Sequence, residues 1–163
     1  MSILDQIYEK AKLNPQRVAF PEADNEKMMQ AAYETGKDGY IIPILVGDAE
    51  ALKALSEERG YDSSVFRFVD IQDEEYKNKL IGMYVAQPGR FLKEKALARR
   101  MQDPLYYAMV MQAVEEAEVT FAGINNTTGD VLLAGQMIIG MQPGISTISS
   151  IGLCDIPGFE GSE

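Results

Sequence analysis

Residues 40–46 read Tyr40-Ile-Ile-Pro-Ile-Leu-Val46, a continuous apolar run that ends at Gly47 and Asp48. A strand without polar alternation is typical of a sheet that is covered on both faces. Gly47 and Asp48 form a turn signal, and the pattern after them predicts a helix over residues 49–58, which Gly60 ends. This stretch therefore predicts a strand-turn-helix unit of an α/β fold.

Similar units are predicted in both directions from this stretch. Short apolar segments predict further strands at 17–20, 65–70, 119–122 and 146–153. Strands that alternate with helices at this spacing indicate a parallel or mixed sheet with helices on both faces. Asp24 is the predicted N-cap of the second helix, and Gly36 is its predicted C′ residue. The other predicted helices cover residues 2–14, 24–36, 73–85, 90–101, 104–114 and 127–140.

The composition excludes several classes of protein. The 163 residues are enough for one domain or for most of one lobe of a larger enzyme. With 15 basic and 25 acidic residues, the net charge of −10 argues against an extended surface for nucleic acid or anionic lipid. No apolar run is long enough to span a bilayer. The absence of histidine excludes the usual zinc sites and Ser-His-Asp triads, and a single cysteine, Cys154, fits a reducing compartment, so we expect a cytoplasmic protein.

Two segments near the carboxyl end combine glycine with hydroxyl side chains, and residues 119–163 contain no Lys or Arg. The first is Gly123-Ile-Asn-Asn-Thr-Thr-Gly-Asp130, at a predicted strand-to-helix turn, where amides and hydroxyls can bind an anion. In the alternative interpretation, Thr127 only caps the helix and Asp130 returns the hydrogen bond. Capping boxes are common, and Asp130 would compete with a bound anion, so local sequence favours the cap.

The second segment is Gly144-Ile-Ser-Thr-Ile-Ser-Ser150. As a strand, it would carry four hydroxyls that could line a polar cleft at the carboxyl edge of the sheet. The same residues could equally pack against a helix. The dense basic residues of 90–100 indicate a solvated helix face, from which one or two side chains could reach a ligand.

Four segments, taken together, match one known family in order and in spacing. They are Arg17-Val-Ala-Phe-Pro-Glu22, Asp103-Pro-Leu-Tyr-Tyr-Ala108, Ala122-Gly-Ile-Asn-Asn-Thr-Thr128 and Gln142-Pro-Gly-Ile-Ser-Thr-Ile-Ser-Ser150. With these segments the chain resembles the phosphate acetyltransferase/phosphate butyryltransferase family. The resemblance implies transfer of an acyl group between coenzyme A and inorganic phosphate. It also implies a lobe like the first lobe of isocitrate and isopropylmalate dehydrogenases, no metal or nicotinamide cofactor, and a homodimer.

The resemblance also implies which side chains contact the substrates, while it identifies no catalytic residue. Two features depart from the family pattern. Leu133 stands where relatives commonly have arginine, and Asn126 stands where they commonly have histidine. The residues that fall where the family lines its acyl-phosphate pocket are Thr127, Thr128, Ser146, Thr147 and Ser149, and Arg90 is the candidate for an arginine before the Asp-Pro-Leu-Tyr segment.

Members of this family run to roughly twice the present length. We therefore expect residues 1–154 to form the N-terminal lobe and residues 155–163 to begin a connection toward a second lobe. The carboxylate and arginine that activate the thiol in the family have no counterpart here, so we expect little or no turnover by this chain alone. The alternatives are a non-catalytic ligand-binding or scaffold protein, and a fold without function. Without the second lobe, apolar sheet or helix surface should be exposed, so we expect the chain to self-associate or to require a partner protein.

Overall fold

A parallel sheet forms the centre of the molecule, as a computed structural model shows for residues 3–152 and Gly158. The strands are β1 (Gln16–Phe20), β2 (Ile41–Gly47), β3 (Arg67–Asp70) and β4 (Val119–Thr120). Within the described residues they are ordered β3-β2-β1-β4, and each neighbouring pair is parallel. The predicted parallel sheet is therefore confirmed.

Helices connect these strands and cover the sheet. A short 3₁₀ turn, Ser63–Val65, precedes β3. Among the described residues, no helix combines the length and apolar character that crossing a membrane requires. The helices are α1 (Ile3–Leu13), α2 (Glu26–Lys37), α3 (Ala49–Glu58), α4 (Glu74–Val85), α5 (Glu94–Arg100), α6 (Pro104–Ala113) and α7 (Thr128–Ile138).

The apolar run of β2 supplies side chains to both faces of the sheet. Ile44 and Val46 belong to a core cluster with residues of α4, α5, α6 and α7. Leu45, between them, belongs to a second cluster with residues of α2 and α3. All three side chains are almost completely buried. The predicted arrangement of helices on both faces is confirmed, because alternate side chains of a strand point to opposite faces.

Two predicted helix ends differ from the observed ones. Asn25 rather than Asp24 caps α2, with its side chain accepting a hydrogen bond from the amide of Lys27. Gly39, with φ of 76°, adopts the left-handed conformation that was expected at Gly36. Gly36 is still helical, and a Cβ atom there would lie 2.7 Å from Cγ of Pro43. Position 36 is therefore restricted to glycine by close packing of α2 against β2, not by backbone conformation.

Two other predicted elements are corrected. The basic helix predicted for 90–101 begins only at Glu94, so Arg90 lies in the preceding loop. The strand predicted for 146–153 is wrong within the described residues, because 146–152 has neither strand nor helix structure. A strand is stable only when a neighbour pairs with its backbone, and β4 pairs only with β1 in the described part of the chain. Leu153, and the proposed connection 155–163 apart from Gly158, lie outside the described residues.

Substitution of Gly36 by alanine tests the close contact between α2 and β2. The new methyl group would collide with Pro43, and also with Val65, whose Cγ1 atom lies 2.9 Å from the ideal Cβ position. We expect Gly36→Ala to lower the free energy of unfolding by about 1–3 kcal/mol in urea titrations. Gly82→Ala is the matched control, because Gly82 is also helical and has open space at its Cβ position. This control should be neutral or stabilising by up to about 1 kcal/mol, and an equal loss in both variants would contradict the packing explanation.

Candidate functional site

A cleft of about 400 Å³ lies at the carboxyl edge of the sheet, beyond the ends of β1 and β2. Ligands of parallel α/β folds bind at this edge. Apolar side chains from α3 and α6 form part of its wall. Asn125 and Asn126, which follow β4, close one side. The remaining lining residues include Pro21, Glu22, Asp24, Asp48, Leu52, Leu55, Asp103 and Leu105.

Glu22, two residues after β1, is bound by the loop that follows β4. Its Oε2 atom accepts hydrogen bonds from the amides of Gly123 and Ile124, at 2.8 and 2.9 Å. Its Oε1 atom accepts from the amides of Asn125 and Asn126, at 3.1 and 2.7 Å, and from Nδ2 of Asn126 at 2.6 Å. Four consecutive amides thus converge on one carboxylate, and Glu22 is only 3% exposed. The loop was predicted to present amides to an anion, and in this structure the anion is part of the protein.

Charge on Glu22 is strongly favoured by this environment. Burial alone raises the pKa of Glu22, but hydrogen bonds from Ile124, Asn126 and Gly123 outweigh burial, and the pKa lies below its ordinary value. Sequence reasoning missed this residue as part of the site. Glu22 stands in one of the segments that carry the family resemblance, but no local spacing connects it with amides 101 to 104 positions away.

Thr127 is the N-cap of α7, and the predicted capping box with Asp130 is confirmed. Its hydroxyl donates to Oδ2 of Asp130 at 2.6 Å and accepts from the amide of Asp130 at 3.2 Å. The amide of Thr127 donates to the same carboxylate, which completes the capping box. These hydrogen bonds, led by the one from the Thr127 hydroxyl, lower the pKa of Asp130. The hydroxyl of Thr127 therefore has a protein partner, although its side chain is exposed.

The other predicted hydroxyl residues are exposed but fall into separate groups. Thr128 is the first residue of α7. Ser146, Thr147 and Ser149 lie in the irregular segment after α7. That segment returns along the helix, because Ile148 lines a small pocket together with several residues of α7. No hydrogen bond links these serines and threonines to Thr127 or Thr128 within residues 3–152.

Arg90 binds the carboxyl ends of two helices. Nη1 donates to the carbonyl oxygens of Ile138 and Ile139, at 3.1 and 2.9 Å, and Nη2 donates to that of Ala113 at 3.0 Å. Nε and Nη2 also donate to Oε1 of Gln87. The guanidinium lies over the ring of Tyr84, 4.9 Å from its centroid. These contacts account for all five N–H groups of the arginine, so a substrate contact would require it to release Gln87 or a helix end.

The described cleft carries negative rather than positive charge. Asp48 and Asp103 cap α3 and α6 by accepting hydrogen bonds from the amides of Ala51 and Leu105. Together with Glu22 and Asp24, they place four carboxylates on the lining, to which the described residues add neither Lys nor Arg. A phosphate in this cleft would need a cation from elsewhere.

Comparison with known sequences gives a match over almost the whole chain. A family model described as phosphate acetyl/butaryl transferase matches residues 2–161. The chain is 28% identical, over 98% of its length, to phosphate acetyltransferase of Acetivibrio thermocellus, of which it covers 48%. It is 25% identical, over 91% of its length, to phosphate acetyltransferase of Staphylococcus epidermidis, of which it covers 45%. The chain thus spans about half the length of the curated relatives it matches.

Solved structures show the same fold. A phosphotransacetylase from Staphylococcus aureus superposes with a TM-score of 0.77 at 22% identity, over 88% of this chain and 44% of that one. A phosphotransacetylase from Streptococcus pyogenes gives the same TM-score and identity, over 90% of this chain and 46% of the other. The arrangement of helices and strands described above is therefore that of one half of these structures.

Replacement of Glu22 by glutamine tests the buried carboxylate. Glutamine has nearly the same shape, but its NH₂ group would face amide donors, so we expect a loss of about 2–3 kcal/mol in the free energy of unfolding at pH 7. Because the folded pKa of Glu22 is lowered, its contribution is present above the ordinary value of 4.5 and is lost as pH falls through the folded value. The stability difference between wild type and Glu22→Gln should therefore shrink on acidification in that range.

The control for this experiment is Glu26→Gln. The Glu26 side chain is 77% exposed and pairs with Arg59 at the surface, so its loss should cost no more than about 0.5 kcal/mol. Chemical denaturation of the three proteins between pH 3 and 7 would measure both effects. A difference between wild type and Glu22→Gln that stays constant over this range would contradict the proposed ionisation of Glu22.

Substitution of Arg90 by lysine separates a structural role from a substrate-binding role. Lysine keeps the charge but cannot reach the carbonyl groups of α6 and α7 together, so we expect a loss of about 1–3 kcal/mol in unfolding free energy. Arg99→Lys, on the exposed face of α5, should leave stability unchanged. If Arg90→Lys is as stable as wild type in urea, the helix-end contacts do not contribute and Arg90 is free to bind a substrate.

Proposed function

We propose, because this chain belongs to the phosphate acetyl/butaryl transferase family, that it forms one lobe of an acyltransferase acting between coenzyme A and inorganic phosphate. The observation that carries this proposal is the family match over residues 2–161. The transferred group is acetyl or another short acyl group. Coenzyme A and phosphate take part as substrates, and the proposal includes no metal or nicotinamide cofactor.

The reaction requires positioning and charge stabilisation more than covalent participation by the protein. The sulfur of coenzyme A attacks the carbonyl carbon of an acyl phosphate, a C–S bond forms, and the C–O bond to phosphate breaks. The thiol proton passes to a base, and phosphate leaves. Hydrogen-bond donors near the carbonyl and phosphoryl oxygens lower the barrier, because negative charge develops there.

The amino end of α7 is the proposed contact for the phosphoryl group. A helix N-terminus favours an anion, and the hydroxyl of Thr128 is exposed there. Thr127 can contribute only if its hydroxyl exchanges Asp130 for the substrate. Ser146, Thr147 and Ser149 remain proposed contacts on the returning segment. Arg90 remains a proposed phosphate ligand that would first have to release Gln87 or a helix end.

We expect this chain alone to show little or no turnover. Of the carboxylates on the described cleft, Glu22, Asp48 and Asp103 accept hydrogen bonds from the protein's own amides, so they are poor bases for a thiol. A base and a cation each contribute orders of magnitude to such rates. We propose that the half of the family structure not covered by this chain supplies both.

A non-catalytic role is the second candidate. The four carboxylates on the described cleft favour it, because they oppose binding of a phosphorylated substrate in the absence of a neighbouring cation. In this case the chain would be a ligand-binding or scaffold relative that lacks thiol activation.

Exposed apolar side chains support a partner polypeptide. Phe121, next to β4, is 54% exposed, and Leu133 on α7 is 50% exposed. Ile151, in the segment after α7, is 96% exposed. We propose that these side chains are covered in a homo-oligomer or by a second lobe, since exposed apolar side chains favour association. We also propose a cytoplasmic location, consistent with the single cysteine of the sequence.

An assay of acetyl phosphate formation from acetyl-CoA and phosphate tests the catalytic proposal. We expect no measurable turnover by the chain alone, but saturable binding of acetyl phosphate in calorimetry. Thr128→Val should weaken that binding about tenfold by removing one hydroxyl donor. Thr35→Val is the control, because the hydroxyl of Thr35 bonds within α2, and it should bind normally. Turnover comparable to that of a full-length relative would contradict the need for a second lobe, whereas absence of binding would contradict the ligand site.

A further inference from the structure

We propose that Glu22 is a positioning residue: it is the resident ligand of a carboxylate receptor formed by loop 123–126, and its binding sets the amino end of α7. The four amides of the receptor end at Asn126, directly before the N-cap residue Thr127. A change in how the loop holds its ligand must therefore move Thr127 and Thr128 as well.

The shape of the receptor suits a planar carboxylate. Two amides bind one oxygen of Glu22, and two amides and the side-chain nitrogen of Asn126 bind the other. Gly123, with φ of 114°, adopts a backbone conformation that L side chains rarely adopt, and this turn directs the amides that follow it toward Glu22. The two oxygens of Glu22, a residue that is only 3% exposed, use all five donors. A tetrahedral phosphate would bury further oxygens without donors, which carries a large desolvation cost.

Two further hydrogen bonds attach loop 123–126 and the residues just before it to neighbouring elements. On the strand side, the amide of Phe121 donates to the carbonyl oxygen of Ala19 in β1 at 2.9 Å. The side chain of Asn125 accepts a hydrogen bond from Nδ2 of Asn25, the N-cap of α2, at 3.1 Å. The loop is therefore attached to β1 and to the N-cap of α2, and the carboxylate of Glu22 orders the amides of the same loop.

Because Glu22 is part of the same chain, its effective concentration at the loop exceeds that of a free anion. The loop is thus closed to phosphate in the folded protein. If the proposed acyltransferase function holds, the phosphoryl group binds beyond this loop, at Thr128, and Glu22 affects the reaction only through the position of that residue.

Chemical rescue of Glu22→Ala tests the receptor. The substitution removes a CH₂–COO⁻ group, which acetate matches in size and charge. We expect the variant to melt at a lower temperature than wild type, and acetate to raise the midpoint by several degrees in a saturable manner relative to chloride of equal ionic strength. Phosphate should not do so. Absence of rescue by acetate would overturn the receptor, and equal rescue by phosphate would overturn its preference for carboxylates.

Two variants exclude general effects of acetate. In Glu22→Gln the space remains filled, so acetate should give no specific rise. Glu118→Ala removes a carboxylate that pairs with Arg17 at a more exposed position, without an enclosing loop, and it should not respond either. A response of the same size in either variant would overturn the assignment to loop 123–126.

Amide NMR signals test the positioning role without reference to catalysis. In Glu22→Ala, the signals of Thr127 and Thr128 should shift from their wild-type positions, and acetate should return them. Wild type offers an independent measurement if the variant does not fold. On acid titration, the signals of Gly123, Ile124, Asn126 and Thr128 should move together with the Glu22 carboxyl carbon. Asp130→Asn removes the titrating carboxylate beside Thr127, and the same movement of Thr128 should remain in that variant. Independent movement of Thr128 would overturn the positioning role, and neither readout depends on acyl phosphate or activity.

Discussion

One buried carboxylate joins the two loops at the centre of the carboxyl edge. β1 and β4 are neighbours in the sheet, but their short pairing, Val18 with Val119 and Ala19 with Thr120, does not determine the path of the loop after β4. The hydrogen bonds of Glu22 determine it, because four consecutive amides must face one side chain. A charged acceptor binds amides more strongly than a neutral one. The hydrogen bonds of Glu22 can therefore offset the conformational entropy that is lost when the loop before α7 is ordered.

The same use of carboxylates recurs along this edge of the sheet. Asp48, Asp103 and Asp130 each accept a hydrogen bond from an amide at the start of a helix. The amino ends of these helices are therefore already compensated by negative charge from the chain itself. The resulting cleft has the location expected for a ligand site, but its charge is opposite to what a phosphate requires. The described half of the family fold therefore has a cleft at the edge where ligands are expected, but no cation on its lining.

The far end of α7 is held by cationic and aromatic groups. Arg90 donates to the carbonyl groups of Ile138 and Ile139, and the hydroxyl of Tyr84 donates to the first of these at 3.0 Å. Terminal carbonyl groups of a helix lack partners within the helix, so these contacts satisfy them. The helix is thus fixed at both ends, while its outer face, with Leu132 and Leu133, remains exposed and apolar. This exposed face is part of the surface that we propose is covered by a second lobe or a second copy of the chain.

The features that could be predicted from the sequence are those that depend on neighbouring residues. The apolar run of β2, the alternation of strands and helices, and the capping box between Thr127 and Asp130 could all be predicted, because their interactions span a few positions. Tertiary structure alone decided the anion of loop 123–126 and the role of Arg90, whose partners lie 101 to 104 and up to 49 positions away. It also decided against a strand at 146–152, since a strand requires a paired neighbour that local pattern cannot provide. The amides of loop 123–126 can be recognised from the local sequence, but their acceptor, Glu22, is brought to them only by the fold.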